Sequence, residues 1–363
     1  MSIDYELTRS TTHDRLVGQL EHLSQGHDTK SLASFAKAYL GMYLDLEKSI
    51  SPDERVKLLA DEDIIDSIWH GFDYLLHNPP EITPQIIASA YVEEARLDIG
   101  YILLAALDRE IRQQNKVPEL DDGLMATMIC FYYVNRNELE NRWVGYYAKT
   151  HSKLFADTLV EFWQAIEKLG SNQKPGFREI LYKPEYIRIL QDITLPVMRV
   201  FAHIKKYFLK NLLLAAFQYI SLDDLLQVCK EHIENETDMP VVNRVYWLST
   251  AYLLSPATYK DELFDYVGRT REKALPMLDF IEALLNRDVE QRFALSADML
   301  ADLLYMIAPK FRPVRDQFGN LDDNVEKIVR LCILLREDKS TAAQQAISRL
   351  KKIRVMRLYS EFL

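Results

Sequence analysis

Glycine, proline and cysteine are scarce in this sequence of 363 residues, which contains 11 glycines, 13 prolines and three cysteines. Few segments alternate apolar and polar residues as a half-buried strand would, so the composition favours helices over sheets. The cysteines Cys130, Cys229 and Cys332 stand far apart in apolar stretches and form no CxxC pair. We therefore expect buried thiols in a reducing compartment rather than a disulfide framework.

Excess positive charge and long apolar segments are also lacking. The formal net charge is −10. Proteins that bind nucleic acid non-specifically usually present a basic surface, so only a local patch could serve that purpose here. No segment reaches the roughly 18 uncharged apolar residues of a transmembrane helix. The polar start MSIDYELTRSTTHDR is not typical of a signal peptide. We expect a cytoplasmic protein with no membrane partner.

Motifs for catalysis are missing as well. The sequence has neither the GxxxxGK(S/T) loop that binds phosphates nor the GxSxG turn of a nucleophilic serine. Asp66, His70, Asp73 and His77 recur on one face of a predicted helix and are residue types that bind divalent metals. The same helix also carries a separate apolar stripe, so we interpret these four residues as its solvated face. We predict no metal site, no cofactor and no enzyme activity.

Helical periodicity is present along almost the whole chain. Helix starts are marked by Ser51-Pro52 and Thr83-Pro84, in which a capping hydroxyl precedes proline at the first helical position. The short links between helices favour antiparallel neighbours, and helix pairs recur about every 35–45 residues, as in HEAT repeats. The predicted fold is therefore all-α, an irregular HEAT-like α-solenoid of stacked antiparallel helix hairpins.

The longest interruption is the segment GSNQKPG, residues 170–176. We interpret it as the joint between an N-terminal half of the helical-repeat array, residues 1–170, and a C-terminal half, residues 176–363. Beyond it, the pattern predicts helices over 177–193 and 196–219. Such an array buries apolar stripes between neighbouring hairpins and leaves its concave face for binding.

A second long loop precedes the last predicted hairpin. Asn320 is a candidate cap, and Asp322 and Asp323 fall in the first turn of the next helix, where negative charge complements the helix dipole. Phe311 and Phe318 are apolar anchors for the loop. The pattern indicates a structural role for this loop, which seals the closing hairpin.

The string IAPKFRPVRDQFGNLDDNVEKIVRLCILL around this loop resembles the C-terminal helical-repeat region of bacterial NACHT-type STAND NTPases. The matching residues are Pro309, Lys310, Phe311, Phe318, Gly319, Asn320, Leu321, Asp322, Asp323, Asn324, Glu326 and Lys327. Segments 78–110 and 244–259 look like earlier helix pairs of the same region, although only FGNLDDN is specific. The resemblance implies a sensing or interaction region of a bacterial antiviral defence system, whose partner is an attached NTPase domain or another protein. Because no phosphate-binding loop is present, we expect a fragment of a longer protein or a stand-alone relative.

Two groups of side chains are candidates for binding. Aromatic residues and arginine are typical interface anchors, and one cluster of them is predicted to form an exposed recognition surface: Tyr132, Tyr133, Arg136, Trp143, Tyr146 and Tyr147. A basic group near the end of the chain is a candidate phosphate or nucleic-acid patch: Arg349, Lys351, Lys352, Arg354 and Arg357. The alternatives are core packing for the aromatic residues and a helix C-terminus that favours cations for the basic ones.

The sequence thus predicts a non-enzymatic recognition or sensor module of a NACHT-type NTPase system. Two other functions stay open. One is a stand-alone α-solenoid scaffold that assembles proteins, and the other is a nucleic-acid binder that uses its basic C-terminal helix.

Overall fold

The computed structural model describes residues 5–43, 49–135, 142–201, 204–235, 238–268, 270–286, 293–315, 317 and 320–363. These residues form helices, turns and one isolated antiparallel bridge, between Arg315 and Leu321. The all-α, helical-repeat fold class predicted from the sequence is confirmed for them. The chain divides into two compact units, Met1–Ile193 and Thr194–Leu363.

The helices described in the first unit vary in length from five to 17 residues. Its helices are α1 Tyr5–Leu16, α2 Leu20–Ser24, α3 Thr29–Tyr39, α4 Pro52–Lys57, α5 Glu62–His77, α6 Pro84–Val92, α7 Asp98–Gln114, α8 Asp122–Val134, α9 Arg142–Thr150, α10 Ser152–Lys168 and α11 Phe177–Tyr182, with 3-10 turns at Val17–Gln19 and Pro184–Tyr186. Helix α12, Ile187–Val200, contains the division between the units.

The second unit ends in the predicted closing hairpin. Its helices are α13 Lys206–Tyr219, α14 Leu222–Asn235, α15 Val241–Leu254, α16 Pro256–Val267, α17 Arg271–Leu285, α18 Ala297–Ile307, α19 Asp323–Glu337 and α20 Thr341–Lys351, with 3-10 helices at Ala308–Lys310 and Val355–Tyr359. Helices α19 and α20 contact each other, and both contact α18.

Two of the caps predicted from the sequence form, whereas α19 is capped by Asp322 and not by the predicted Asn320. Ser51 and Glu54 make a reciprocal capping box at the start of α4, with Pro52 at the first helical position. The Thr83 side chain accepts a hydrogen bond from the backbone N–H of Ile86 at the start of α6. These residues satisfy backbone donors that a helix start leaves without an intrahelical partner.

One predicted break and two predicted continuities are wrong. The predicted helix 196–219 is interrupted, because α12 ends at Val200 and α13 begins at Lys206. The predicted helix 177–193 is interrupted at Lys183, whose extended backbone is the conformation that a following proline imposes. The predicted break before residue 196 does not occur, because α12 runs through Pro196 to Val200. Val197 and Met198 directly after this proline are completely buried, and their burial outweighs the backbone hydrogen bond that proline removes.

One helix in each unit is enclosed by its neighbours. In α7 every residue from Ile99 to Asp108 is buried, and α3, α5 and α8 pack around this helix. In α15 nine consecutive residues from Val245 to Leu253 are buried, enclosed by α13, α14, α16 and α17. A helix that is apolar all round belongs in a core, so these two helices form the centres of their units.

The segment 170–176, which the sequence predicts as a joint, lies inside the first unit. The indole Nε1 of Trp163 donates a 3.0 Å hydrogen bond to the carbonyl of Pro175, and the Trp163 ring packs edge-on against Phe177. The backbone of Gly176 lies directly against the Tyr133 ring. This loop is therefore anchored to α8 and α10. The assignment of two halves of one repeat array stays a prediction.

Candidate functional site

The structure brings the predicted aromatic residues together. Tyr133, Tyr132, Trp143, Tyr147 and Tyr146 follow one another through edge-to-face contacts, with ring centroids 4.9, 5.7, 6.1 and 5.5 Å apart. Such pairs stabilise a fold beyond the apolar area that they bury. The sixth member of the predicted group, Arg136, lies outside the described residues.

The exposed recognition surface predicted for this cluster is wrong for three of its members. Tyr133 is 5% exposed, and Trp143 and Tyr147 are 0% exposed. Positions 143 and 147 lie one turn apart on the inner face of α9, which explains why both rings enter the core. Tyr146 remains exposed and Tyr132 is half-buried. The cluster mainly packs α8 against α9, and any binding role for Tyr132 and Tyr146 stays a prediction.

The predicted basic patch is exposed, but its members differ in their contacts. Arg349 forms an ion pair with Asp298 of α18. Lys351, Lys352, Arg354 and Arg357 are exposed, and none of them lies within ion-pair distance of a carboxylate among the described residues. Four cations that have no acidic partner in the described part of the chain therefore lie where α20 ends and the last 3-10 helix begins.

A groove that the sequence did not predict runs between α17 and α19. Its volume is about 260 Å³, and its lining is mainly leucine and isoleucine with a few charged residues: Leu278, Glu282, Leu285, Asn286, Lys327, Arg330, Leu331, Ile333 and Leu334. We call it the α17–α19 groove. Leu278 and Leu331 form a buried floor, whereas Leu334 is 38% exposed.

The charged residues of the groove are paired with one another. Glu282 lies 2.7 Å from Arg330 and 3.4 Å from Lys327, and Lys327 also contacts Asp279. These side chains cross from α17 to α19 and hold the two helices together. The groove is thus an apolar slot with a neutralised polar rim, which is the composition typical of an interface centre and its edge.

The first unit contains a buried charged network that sequence reasoning missed. Asp108 of α7 is 5% exposed and accepts hydrogen bonds from the Tyr39 hydroxyl at 2.9 Å and from Arg112 Nε at 2.6 Å. Burial, followed by the charge of Asp108, raises the pKa of Tyr39 far above its usual range. One signal was available: Asp108 ends an otherwise apolar run of α7, and a carboxylate there must find partners.

The residue types that could react chemically are engaged in packing or local contacts. Burial raises the pKa of all three thiols, Cys130, Cys229 and Cys332. His232 is buried, stacks on Trp247 with ring centroids 4.2 Å apart, and places Nε2 2.6 Å from the carbonyl oxygen of Met198. Each of these groups therefore belongs to the core of its unit.

The stripe of histidines and aspartates on α5 is exposed, as its alternation with an apolar face indicates. His70 Nδ1 lies 2.7 Å from the carbonyl oxygen of Asp66, and His77 Nδ1 lies 2.8 Å from that of Asp73. The Asp73 carboxylate forms a 3.3 Å ion pair with Arg109. Within the described part of the chain, no three His, Cys, Asp or Glu side chains are grouped as metal ligands would be.

No helix in the described residues has both the length and the apolarity needed to cross a membrane. Comparison with known proteins gives no significant match to a protein-family model, a curated protein or a solved structure.

Proposed function

We propose that this chain is the non-enzymatic recognition module of a bacterial NACHT-type NTPase system that acts in antiviral defence. The observation that carries the proposal is the resemblance of the PKF and FGNLDDN segments to the helical-repeat region of such NTPases. The all-α fold and the engagement of the cysteines and the buried His232 in packing are compatible with recognition rather than catalysis.

The described residues of these segments support a structural and a binding role. Phe311 is 2% exposed, and its carbonyl accepts a buried 2.7 Å hydrogen bond from Tyr359. The Asp322 side chain accepts from the backbone N–H of Asn324 and so caps α19. Lys327, which also belongs to the resembling segment, lies on the rim of the α17–α19 groove. The segment thus closes the last hairpin and contributes to the groove beside it.

We propose that the partner is a protein that inserts an apolar side chain into the α17–α19 groove. Pockets for free small molecules usually measure about 300–1,000 Å³, and this groove, at about 260 Å³, is smaller. A single anchoring side chain in an apolar slot, surrounded by a polar rim, is the usual arrangement of an interface hot spot. The paired rim charges would exclude water without requiring a charged partner.

The test is protection of bacteria against phages. The reading frame that contains this chain is sequenced outward and expressed whole in a bacterial host that is challenged with a panel of phages. We expect a phosphate-binding loop in the same or an adjacent frame and a reduced efficiency of plating for at least one phage. Leu334→Asp places a charge in the groove and is expected to abolish that protection.

Val241→Asp is the matched control, since Val241 is 43% exposed, lies in the same unit and is not part of the groove lining. It should keep full protection. If Leu334→Asp also kept full protection, the groove would not be the recognition site. If no NTPase were encoded nearby and no phage were restricted, the defence function would be wrong. A stand-alone scaffold, whose stable partner co-purifies without nucleotide, would then be the better description.

A further inference from the structure

We propose that the second unit binds single-stranded nucleic acid along a basic surface that joins two distant segments of sequence. The surface, called here the C-terminal basic surface, consists of Arg312, Arg315, Lys351, Lys352, Arg354 and Arg357. All six side chains are exposed. The phosphate backbone of nucleic acid is the ligand class that such a group of cations recognises.

The two segments are held together by contacts of the last 3-10 helix, residues Val355–Tyr359. This helix packs against the 3-10 helix Ala308–Lys310, and the Tyr359 hydroxyl donates its buried hydrogen bond to the carbonyl of Phe311. The loop residues Arg312 and Arg315 are therefore brought beside the end of the chain. Their separation in sequence explains why periodicity and local composition alone did not connect them.

The surface extends along α18 rather than forming a cap at one helix end. The Arg349–Asp298 pair places the C-terminal end of α20 beside the N-terminal end of α18. The following 3-10 helix then returns to the C-terminal end of α18, where it meets residues 308–310. Helix α18 has 11 residues, so the cations are distributed over about 16 Å. A simple preference of helix C-termini for cations would concentrate them at α20 alone.

Acidic side chains near the surface leave most of these charges available. Glu361 forms an ion pair with Arg315 at 3.9 Å, but both side chains are more than half exposed, so solvent screens the pair strongly. Burial raises the pKa of Tyr359, and the nearby Cys332 and Asp322 raise it further, which places the Asp322 carboxylate near this surface. Asp298 forms an equally exposed ion pair with Arg349, which solvent screens in the same way. The six cations therefore outnumber these acidic side chains, Glu361, Asp298 and Asp322, within a chain whose net charge is −10.

An exposed aromatic ring favours a single strand over a duplex or a membrane. Tyr305, in the last turn of α18, is 52% exposed and precedes Arg312 by seven residues. Unpaired bases stack on such rings, whereas the bases of a duplex are stacked on each other. Tyr305 and Asp298 lie on one stripe of α18, with Asp302 between them. Asp302 is paired with Lys260, so the stripe adds no free negative charge.

The test uses the full chain and measures fluorescence anisotropy of labelled oligo(dT) and oligo(rU) of about 16 nucleotides. We expect binding that weakens between about 50 and 200 mM salt, with a slope in the double-logarithmic plot of about −3 for four phosphate contacts. Arg312→Glu/Arg315→Glu and Lys351→Glu/Lys352→Glu should each weaken binding at least about tenfold. Tyr305→Ala should weaken it about fivefold or more.

The double variant Lys30→Glu/Lys116→Glu is the matched control, because it makes the same change in net charge at exposed lysines of the first unit. It should leave the affinity unchanged. Circular dichroism of each variant shows that the helices are intact. Equal losses in the control and in the loop variant, or no binding by the unaltered chain at low salt, would overturn the proposal. So would duplex DNA bound as tightly as a single strand, or binding only to vesicles of phosphatidylcholine and phosphatidylserine.

Binding of oligonucleotides by the isolated chain is independent of the proposed defence function. A chain that binds a single strand but restricts no phage would keep the C-terminal basic surface and lose only the NACHT-type assignment. A chain that restricts a phage but binds no oligonucleotide would retain the NACHT-type assignment and contradict the nucleic-acid site.

Discussion

The Tyr39 hydroxyl and the Arg112 guanidinium share one carboxylate oxygen of Asp108, at 2.9 and 2.6 Å. Tyr39 comes from α3, whereas Asp108 and Arg112 come from the central helix α7 of the first unit. The shared oxygen thus ties two helices whose sequence positions are far apart. Tyr39 and Asp108 are both buried, whereas the Arg112 side chain is about half exposed.

The first prediction concerns this contact. Asp108→Ala should lower the free energy of unfolding by about 2–3 kcal/mol, because it leaves the Tyr39 hydroxyl buried without an acceptor. Tyr39→Phe should cost about 1–2 kcal/mol, since the carboxylate keeps Arg112. Urea unfolding followed by circular dichroism measures both. Asp157→Ala is the control: it breaks an exposed pair with Lys153 and should cost less than about 0.5 kcal/mol. Equal effects at Asp108 and Asp157 would contradict a buried network.

The second prediction compares two glycines at the ends of the anchored loop 170–176. Gly170 and Gly176 both have positive φ, +85° and +79°, but a methyl group at Gly170 meets open space, whereas at Gly176 it would lie 2.2 Å from the Tyr133 ring. Gly170→Ala should therefore cost about 1–2 kcal/mol from backbone strain alone. Gly176→Ala should cost a further 1–3 kcal/mol, roughly, from overpacking. Urea unfolding measures both losses of stability. Equal losses for Gly170→Ala and Gly176→Ala would show that Tyr133 does not hold the loop.

The third prediction concerns the thiols. The folded protein should react with a thiol reagent near neutral pH only after urea is added, when all three cysteines become reactive. Rapid labelling of any cysteine in the native protein would contradict its burial.

The fourth prediction concerns the pH dependence of stability that follows from the burial of Cys332. Burial raises the pKa of the Cys332 thiol from 9.0 to about 12. The thiol ionises at a lower pH in the unfolded protein than in the folded protein. This contribution to stability is therefore complete below about pH 9 and is lost as the pH rises toward about 12. The free energy of unfolding should fall between about pH 9 and pH 11, and it should fall less steeply in Cys332→Ala. Identical slopes for the two proteins would remove Cys332 as a contributor.

The fifth prediction concerns Phe311, which is buried beneath Arg271, with the guanidinium 4.9 Å from the ring centroid. Phe311→Ala should lower the free energy of unfolding by about 3–5 kcal/mol. It should also increase hydrogen exchange in the 3-10 helix 355–359, because the Tyr359 hydroxyl is hydrogen-bonded to the backbone carbonyl of residue 311. Val314→Ala, at a side chain that is 68% exposed, should change neither quantity. Unchanged exchange in Phe311→Ala would mean that the loop does not seal the hairpin.

Periodicity and capping residues were sufficient to predict most helices. The helix predicted around Asp66 and His77 is Glu62–His77, and Ser51 and Thr83 cap the helices that they precede. Prolines were less informative. Pro184 interrupts a predicted helix, whereas Pro196 lies inside α12. The local preference is similar at both positions, and the difference is decided by packing around the next residues.

The candidate sites were predicted less completely. Tyr133, Trp143 and Tyr147 have the residue types of an interface, but a residue type does not show which face of α8 or α9 meets the core. The α17–α19 groove depends on how two helices separated by a long stretch of chain pack together. No local pattern contains that information. The cations of residues 351–357 are exposed, and their role as a phosphate or nucleic-acid patch stays a prediction.

The sequence by itself determined the all-α class, the helix boundaries marked by caps, and the absence of a phosphate-binding loop from these 363 residues. These properties depend on interactions within a few turns of helix. Only the tertiary structure decided that Asp108 is buried with Tyr39, that Tyr133, Trp143 and Tyr147 pack inward, and that Arg315 lies beside Glu361. Those outcomes depend on contacts between residues far apart in sequence, where burial and charge pairing outweigh local preference.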